Sequence, residues 1–158
     1  MKRRLHIAIN IALVLVLVVT LVGMVKAVHA NPSAPIIQSI SEANTSAIDV
    51  TSIEVLKPSG TVDGDLLVGI VVTDANETLT KPSNWNDINI GSYSTYVTVG
   101  SWYKIASSEP ASYTWTIGTV EQAYAVILRI TGHDSSSPIN ISGAANCTVA
   151  DTAPTCPT

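Results

Sequence analysis

Beyond residue 35 the chain alternates short apolar runs with turn chemistry, and no stretch keeps a convincing helical period. The runs predict strands over Ile36–Ile40, Ile48–Val55, Leu66–Thr73, Thr95–Ile105, Tyr113–Ile117, Ala123–Thr131 and Ile139–Ser142. Their breaks carry Pro58-Ser59-Gly60, Pro82-Ser83-Asn84, Pro110 and Gly132-His133-Asp134, residues that leave a ladder without a donor or favour tight turns. Strands at this spacing, with no helices between them, predict an all-β chain folded as an antiparallel β-sandwich.

Alternation assigns faces, because successive side chains of a strand point to opposite sides. In Thr95–Ile105 the set Val97, Val99, Ser101, Tyr103 and Ile105 reads as core, and Tyr96, Thr98, Gly100, Trp102 and Lys104 as surface. Tyr113, Trp115 and Ile117 share an inward face. Tyr124, Val126, Leu128 and Ile130 are expected inward, with Arg129 outward. Leu66–Val72 is apolar on both faces, as a strand in the middle of a sheet should be.

The first thirty residues follow another pattern. Lys2, Arg3 and Arg4 precede the 19-residue run Ile7–Val25, which only Asn10 and Thr20 interrupt. Val28-His29-Ala30 then fits a signal peptidase, so residues 1–30 read as a signal peptide cut after Ala30. The competing reading is an uncleaved signal anchor, since a helix of that length extends about 28 Å at ~1.5 Å per residue. Both place the remainder outside the cytoplasm, secreted or at the cell surface, with residues 31–35 as a linker and 36–158 as the domain. Contact with a membrane is expected only through an uncleaved leader.

Removing the leader changes the charge. The chain has 8 Lys+Arg and 12 Asp+Glu, and Lys2, Arg3, Arg4 and Lys26 fall in the leader, which leaves 4 basic against 12 acidic side chains, net −8. Such a surface repels phosphate backbones, which argues against nucleic acid as a partner. Cys147 and Cys156 both follow the leader. In an oxidising compartment they predict one disulfide, worth about 2.7 kcal/mol by chain entropy. Asn44, Asn76, Asn140 and Asn146 sit in Asn-x-Ser/Thr triplets, which matter only in a glycosylating host.

Candidate chemistry is sparse. Asp63-Gly64-Asp65 could offer oxygens to calcium, but Asp74, Asn76 and Glu77 lie across the following strand, about 25 Å away at ~3.3 Å per residue. The triplet therefore reads as a turn, with Gly64 permitting positive φ and the aspartates capping N–H groups. No G-x-S-x-G, H-E-x-x-H, Walker or dinucleotide motif occurs, and nothing calls for a metal or cofactor. His133-Asp134 reads as a solvated turn rather than an acid–base pair, and no catalytic residue is assigned. The better candidates are aromatic: Trp102 and Tyr96 on the face read as exposed, and Trp85 in a Pro-Ser-Asn-Trp-Asn loop. Exposed together, such rings stack on sugars; packed into the sandwich, they belong to a scaffold, and the second reading is favoured.

Several pieces occur in a set order. They are Lys57-Pro58-Ser59-Gly60 with Asp63-Gly64-Asp65-Leu66-Leu67-Val68, Pro82-Ser83-Asn84-Trp85, Trp102-Tyr103-Lys104-Ile105-Ala106, Glu109-Pro110-Ala111-Ser112-Tyr113-Thr114-Trp115 and Ile127-Leu128-Arg129-Ile130-Thr131-Gly132. Over about residues 47–155 this order resembles a β-sandwich module of secreted bacterial surface proteins and phage tail-associated proteins. The resemblance implies a structural or adhesive role and no catalytic residues. It also implies further strands after the stretch matched by Ala150–Pro154, so the copy here reads as shortened. An uncovered sheet edge would then invite self-association or a neighbouring surface protein. The expectation is an Ig-like or jelly-roll-like sandwich serving as an exported, non-catalytic surface module. Glycan binding through Trp85, Trp102 and Tyr96 is the alternative, and a secreted hydrolase a more distant one.

Overall fold

A computed structural model describes residues 34–140. They form eight strands: β1 (Ile36–Asn44), β2 (Val50–Leu56), β3 (Leu66–Asp74), β4 (Leu79–Thr80), β5 (Asn86–Tyr93), β6 (Val97–Ile105), β7 (Ser112–Glu121) and β8 (Ala123–Thr131). There is no helix among the described residues. Two antiparallel sheets result, a five-stranded one in the order β1-β8-β3-β6-β5 and a three-stranded one in the order β2-β7-β4. The doubly apolar β3 takes the central place of the large sheet, as its sequence predicts. The leader, residues 31–33 of the linker, Asn146, and both Cys147 and Cys156 lie outside the described residues. Of the strand expected over Ile139–Ser142, Ile139 and Asn140 are not in a strand, and the rest lies outside that range.

The sheets face each other across one aromatic core. Leu67 and Val71 of β3, Trp102 of β6 and Ala123, Ala125 and Ile127 of β8 meet Ile53 and Val55 of β2 and Tyr113, Trp115 and Ile117 of β7. Trp85, just before β5, closes the cluster: its ring centroid is 5.1 Å from Tyr113 and 5.3 Å from Trp115, both edge-to-face. Trp102 lies 6.0 Å from Trp115. Each buried indole removes ~150–250 Å² from water, about 4–6 kcal/mol of gross transfer free energy. Glycines make the room. A Cβ at Gly69 would stand 2.8 Å from the Trp115 ring, and one at Gly100 would fall inside the space of the Trp102 ring.

This packing reverses two face assignments. Trp102 and Thr98 are fully buried, whereas Val99 is 41% and Ile105 37% exposed, so the outward set of β6 is Val97, Val99, Ser101, Tyr103 and Ile105. In β8 the inward set is Ala123, Ala125, Ile127 and Arg129, and Tyr124 is exposed. Arg129 turns in because it has a partner there: its Nε donates to Asp65 Oδ2 at 2.6 Å. The alternation of apolar and polar positions does not mark β4 or β5. β5, Asn-Asp-Ile-Asn-Ile-Gly-Ser-Tyr, alternates weakly and shifts register between Asp87 and Asn89.

Asp63-Gly64-Asp65 is a bend feeding β3. Gly64 has φ +93°, Asp65 Oδ2 accepts from the Val62 N–H at 2.9 Å, and Asp63 Oδ1 accepts from the Ser108 N–H at 2.7 Å. Burial pushes the Asp65 carboxyl up, but the Val62 and Arg129 hydrogen bonds outweigh it and hold the pKa below its usual value.

Candidate interaction face

The outward side of the large sheet is built from cross-strand partners. Val68, Ile70 and Val72 of β3 lie opposite Leu128, Val126 and Tyr124 of β8 on one side. On the other side they lie opposite Tyr103, Ser101 and Val99 of β6. Beyond β8, the edge strand β1 adds Ile37 and Ile40, opposite Ile130 and Leu128. An apolar surface thus runs across four strands, with Ile40 57%, Ile37 54% and Val99 41% exposed. Four nine-residue strands at ~4.8 Å spacing and ~3.3 Å per residue give this face a footprint of about 570 Å², and contiguous apolar surface on that scale is uncommon on a monomer. The small sheet is the opposite case. Its outward positions include Ser52, Glu54, Thr80, Thr114 and Thr116, a hydroxylated surface of the usual kind.

Charge is confined to the rim of the apolar face. Its acids within the sheet are Glu42 of β1 and Asp74 at the end of β3, and Glu42 accepts a hydrogen bond from the Tyr124 hydroxyl at 2.6 Å. That bond, followed by desolvation and the carboxylate charge, raises the Tyr124 pKa. At the end of the face beyond Tyr124 and Val97 an open cavity of about 390 Å³ is lined by Asn44, Ser46, Asp74, Tyr96, Gln122 and Tyr124, among others. Tyr96 is 72% exposed, and its ring centroid lies 6.3 Å from that of Tyr93. Behind the cavity, burial and the nearby Glu77, Asp74 and Asp49 raise the pKa of Glu121. The Glu77 carboxylate is tied to the Thr119 N–H and hydroxyl, and of these four acids only Asp74 lines the cavity.

The other end is closed by an ion pair. Lys104 Nζ and Glu109 Oε2 are 2.7 Å apart, with 12% and 2% of their side chains exposed. Glu109 also accepts from the Tyr113 hydroxyl at 2.6 Å and from the Ser107 N–H at 2.7 Å. Burial alone would raise the Glu109 pKa, yet the donors from Lys104, Tyr113 and Ser107 bring it below the usual value. Burial and Glu109 together push Tyr113 up. Both Glu109 oxygens have protein donors that hold them, which describes a structural clamp.

The three aromatic candidates therefore separate. Trp85 is 3% exposed and Trp102 fully buried, so their rings serve the core and cannot stack on a ligand, while Tyr96 alone stands in solvent beside a cavity. Tyr124, which the sequence reading placed inside, joins it there. Among the described residues no three His, Cys, Asp or Glu side chains gather as a metal site requires. The outward apolar residues of β6 and β8 were all read as core. A usable signal was present, since β3, β6 and β8 together carry more aliphatic positions than one three-stranded sheet can cover. No family model matches the chain, and no curated protein or solved structure matches it.

Proposed function

We propose that the chain is an exported β-sandwich, Ig-like or jelly-roll-like in form, serving as a cell-surface structural or adhesion module without catalytic activity. The observation that carries this reading is the apolar outward face of the large sheet, on a chain that begins with a leader-like segment. A face of that extent marks a contact surface. The aromatic residues that would suit a ligand-processing cleft are instead spent on packing. The motif order, which resembles that of bacterial surface and phage tail-associated modules, supports the same role, as does β1, a sheet edge unpaired among the described residues that a neighbouring surface protein could extend.

Two measurements on an expressing cell test it together. N-terminal sequencing of the recovered chain should begin at Asn31, and protease added from outside should cleave the chain. An intact Met1 with full protection from external protease would overturn export, and the surface role with it. Glycan binding is a second reading, favoured by the cavity that Tyr96 and Tyr124 flank beside Asn44, Asp74 and Gln122. Retention on immobilised oligosaccharides that Tyr96→Ala abolishes would favour it over a purely structural role.

A further inference from the structure

We infer that the outward face of the five-stranded sheet packs against the same face of a second copy, forming a two-fold dimer of sheets. This rests on the proposed contact role and names its partner. The occupant must be apolar, sheet-like in extent, and acceptable to a chain of net charge −8 over residues 31–158. A second copy meets all three conditions. Two molecules that repel elsewhere can approach where neither carries charge, and on this face the acids stand at the rim, Glu42 at β1 and Asp74 at the end of β3.

Geometry agrees. Two twisted sheets pack face to face with their strands within about 30° of each other and ~10 Å between layers. The side chains at the centre, Val68, Ile70, Val126 and Leu128, are half-buried and of similar height, so a second such layer can interdigitate with them. A standard interface takes ~600–1,000 Å² from each partner, and the four-strand footprint of about 570 Å² lies close to the lower end of that range. The same patch meets itself under a two-fold axis, so the contact closes at two copies instead of propagating. The chain's own tail is a poor cover. Residues 141–158 hold only Ile141 and Val149 as large aliphatic side chains.

Sedimentation velocity of the chain recovered after export, over a wide concentration range, provides the test. The unaltered chain should run as a dimer that dissociates on dilution. Ile70→Lys puts a charge at the centre of the face, and Val99→Lys does so at a position exposed enough to accept lysine without disturbing the core. Each should raise the dissociation constant at least 100-fold while unfolding stays cooperative. Gln38→Lys guards the β1 edge against strand pairing at its register shift and should leave the dimer intact. A wild-type monomer at the highest concentration overturns the pairing, and so does a dimer that survives Val99→Lys. Loss of the dimer in Gln38→Lys with its retention in Val99→Lys would assign association to the edge and overturn it as well. An exported, surface-retained monomer defeats the dimer and spares the module reading, whereas a dimer confined to the cytoplasm does the reverse.

Discussion

Gly69 and Gly100 do their work by lacking a side chain, Gly64 by its backbone. The Cβ of Gly69→Ala would press on Trp115 at 2.8 Å and on Trp85 at 3.1 Å, rings that the rest of the core holds in place. We expect Gly69→Ala to cost about 1–3 kcal/mol in urea unfolding through overpacking. Gly64→Ala meets nothing within 4 Å but is forced to φ +93°, and should cost about 1–2 kcal/mol. The two losses have different remedies. Gly64→Asn should recover part of its loss, because Asn tolerates left-handed backbone, and no side chain should rescue position 69. Wild-type stability in Gly69→Ala would show that Trp115 is not seated over β3. The core also has a cost at this scale: the indole N–H groups of Trp85 and Trp115 are buried without a hydrogen-bond partner among the described residues. Each forfeits about 1–3 kcal/mol against a paired donor, so ring burial has to exceed that sum for the cluster to hold.

At the level of strands and the loops that join them, two carboxylates fasten one end of the fold. Asp65 ties the β2–β3 loop to β8, and Glu109 ties the β6–β7 loop to β6 and β7. Both have folded pKa values below the ordinary ones, so their stabilisation is present above about pH 4 and is lost as pH falls through the lower folded values. The melting temperature should stay level from pH 7 to 5 and drop below about pH 4. Glu109→Gln should lower stability at pH 7 by about 1.5–3 kcal/mol, the range for hydrogen bonds to charged groups, and flatten that acid limb. An unchanged acid limb in Glu109→Gln would remove Glu109 from the account. The sequence disclosed these elements unevenly. β3 and β7 were legible, the first because both of its faces are apolar, the second because Tyr113, Trp115 and Ile117 alternate with threonines. β6 and β8 were located correctly but turned over. On each, the side facing solvent is the more aliphatic one, and the rule that aliphatic residues face inward therefore chose the wrong parity. The same inversion hid the candidate face, whose β6 and β8 members read as core. β5 was missed because asparagines and a serine occupy positions where a strand usually shows branched side chains.

For the molecule as a whole, a five-stranded sheet lies against a three-stranded one, and the two outer surfaces differ in kind. One is hydroxylated and suited to water; the other is aliphatic and suited to a partner. The route of the chain adds a mechanical property. The first described strand begins at Ile36 and the last ends at Thr131, and these residues are cross-strand partners at the same end of the β1–β8 ladder. Tension between an attachment before β1 and a load after β8 therefore pulls at right angles to the strands. The ladder bonds carry the force one after another and not all at once. Pulled through its two ends in an optical trap, a single copy should yield at low force and release β1, nine residues long, as its first lengthening step. High resistance followed by collapse of the whole domain in one step would mean that the two strands share the load. A module held this way opens like a zip from its tethered end, which suits it to give slack under strain rather than to bear it.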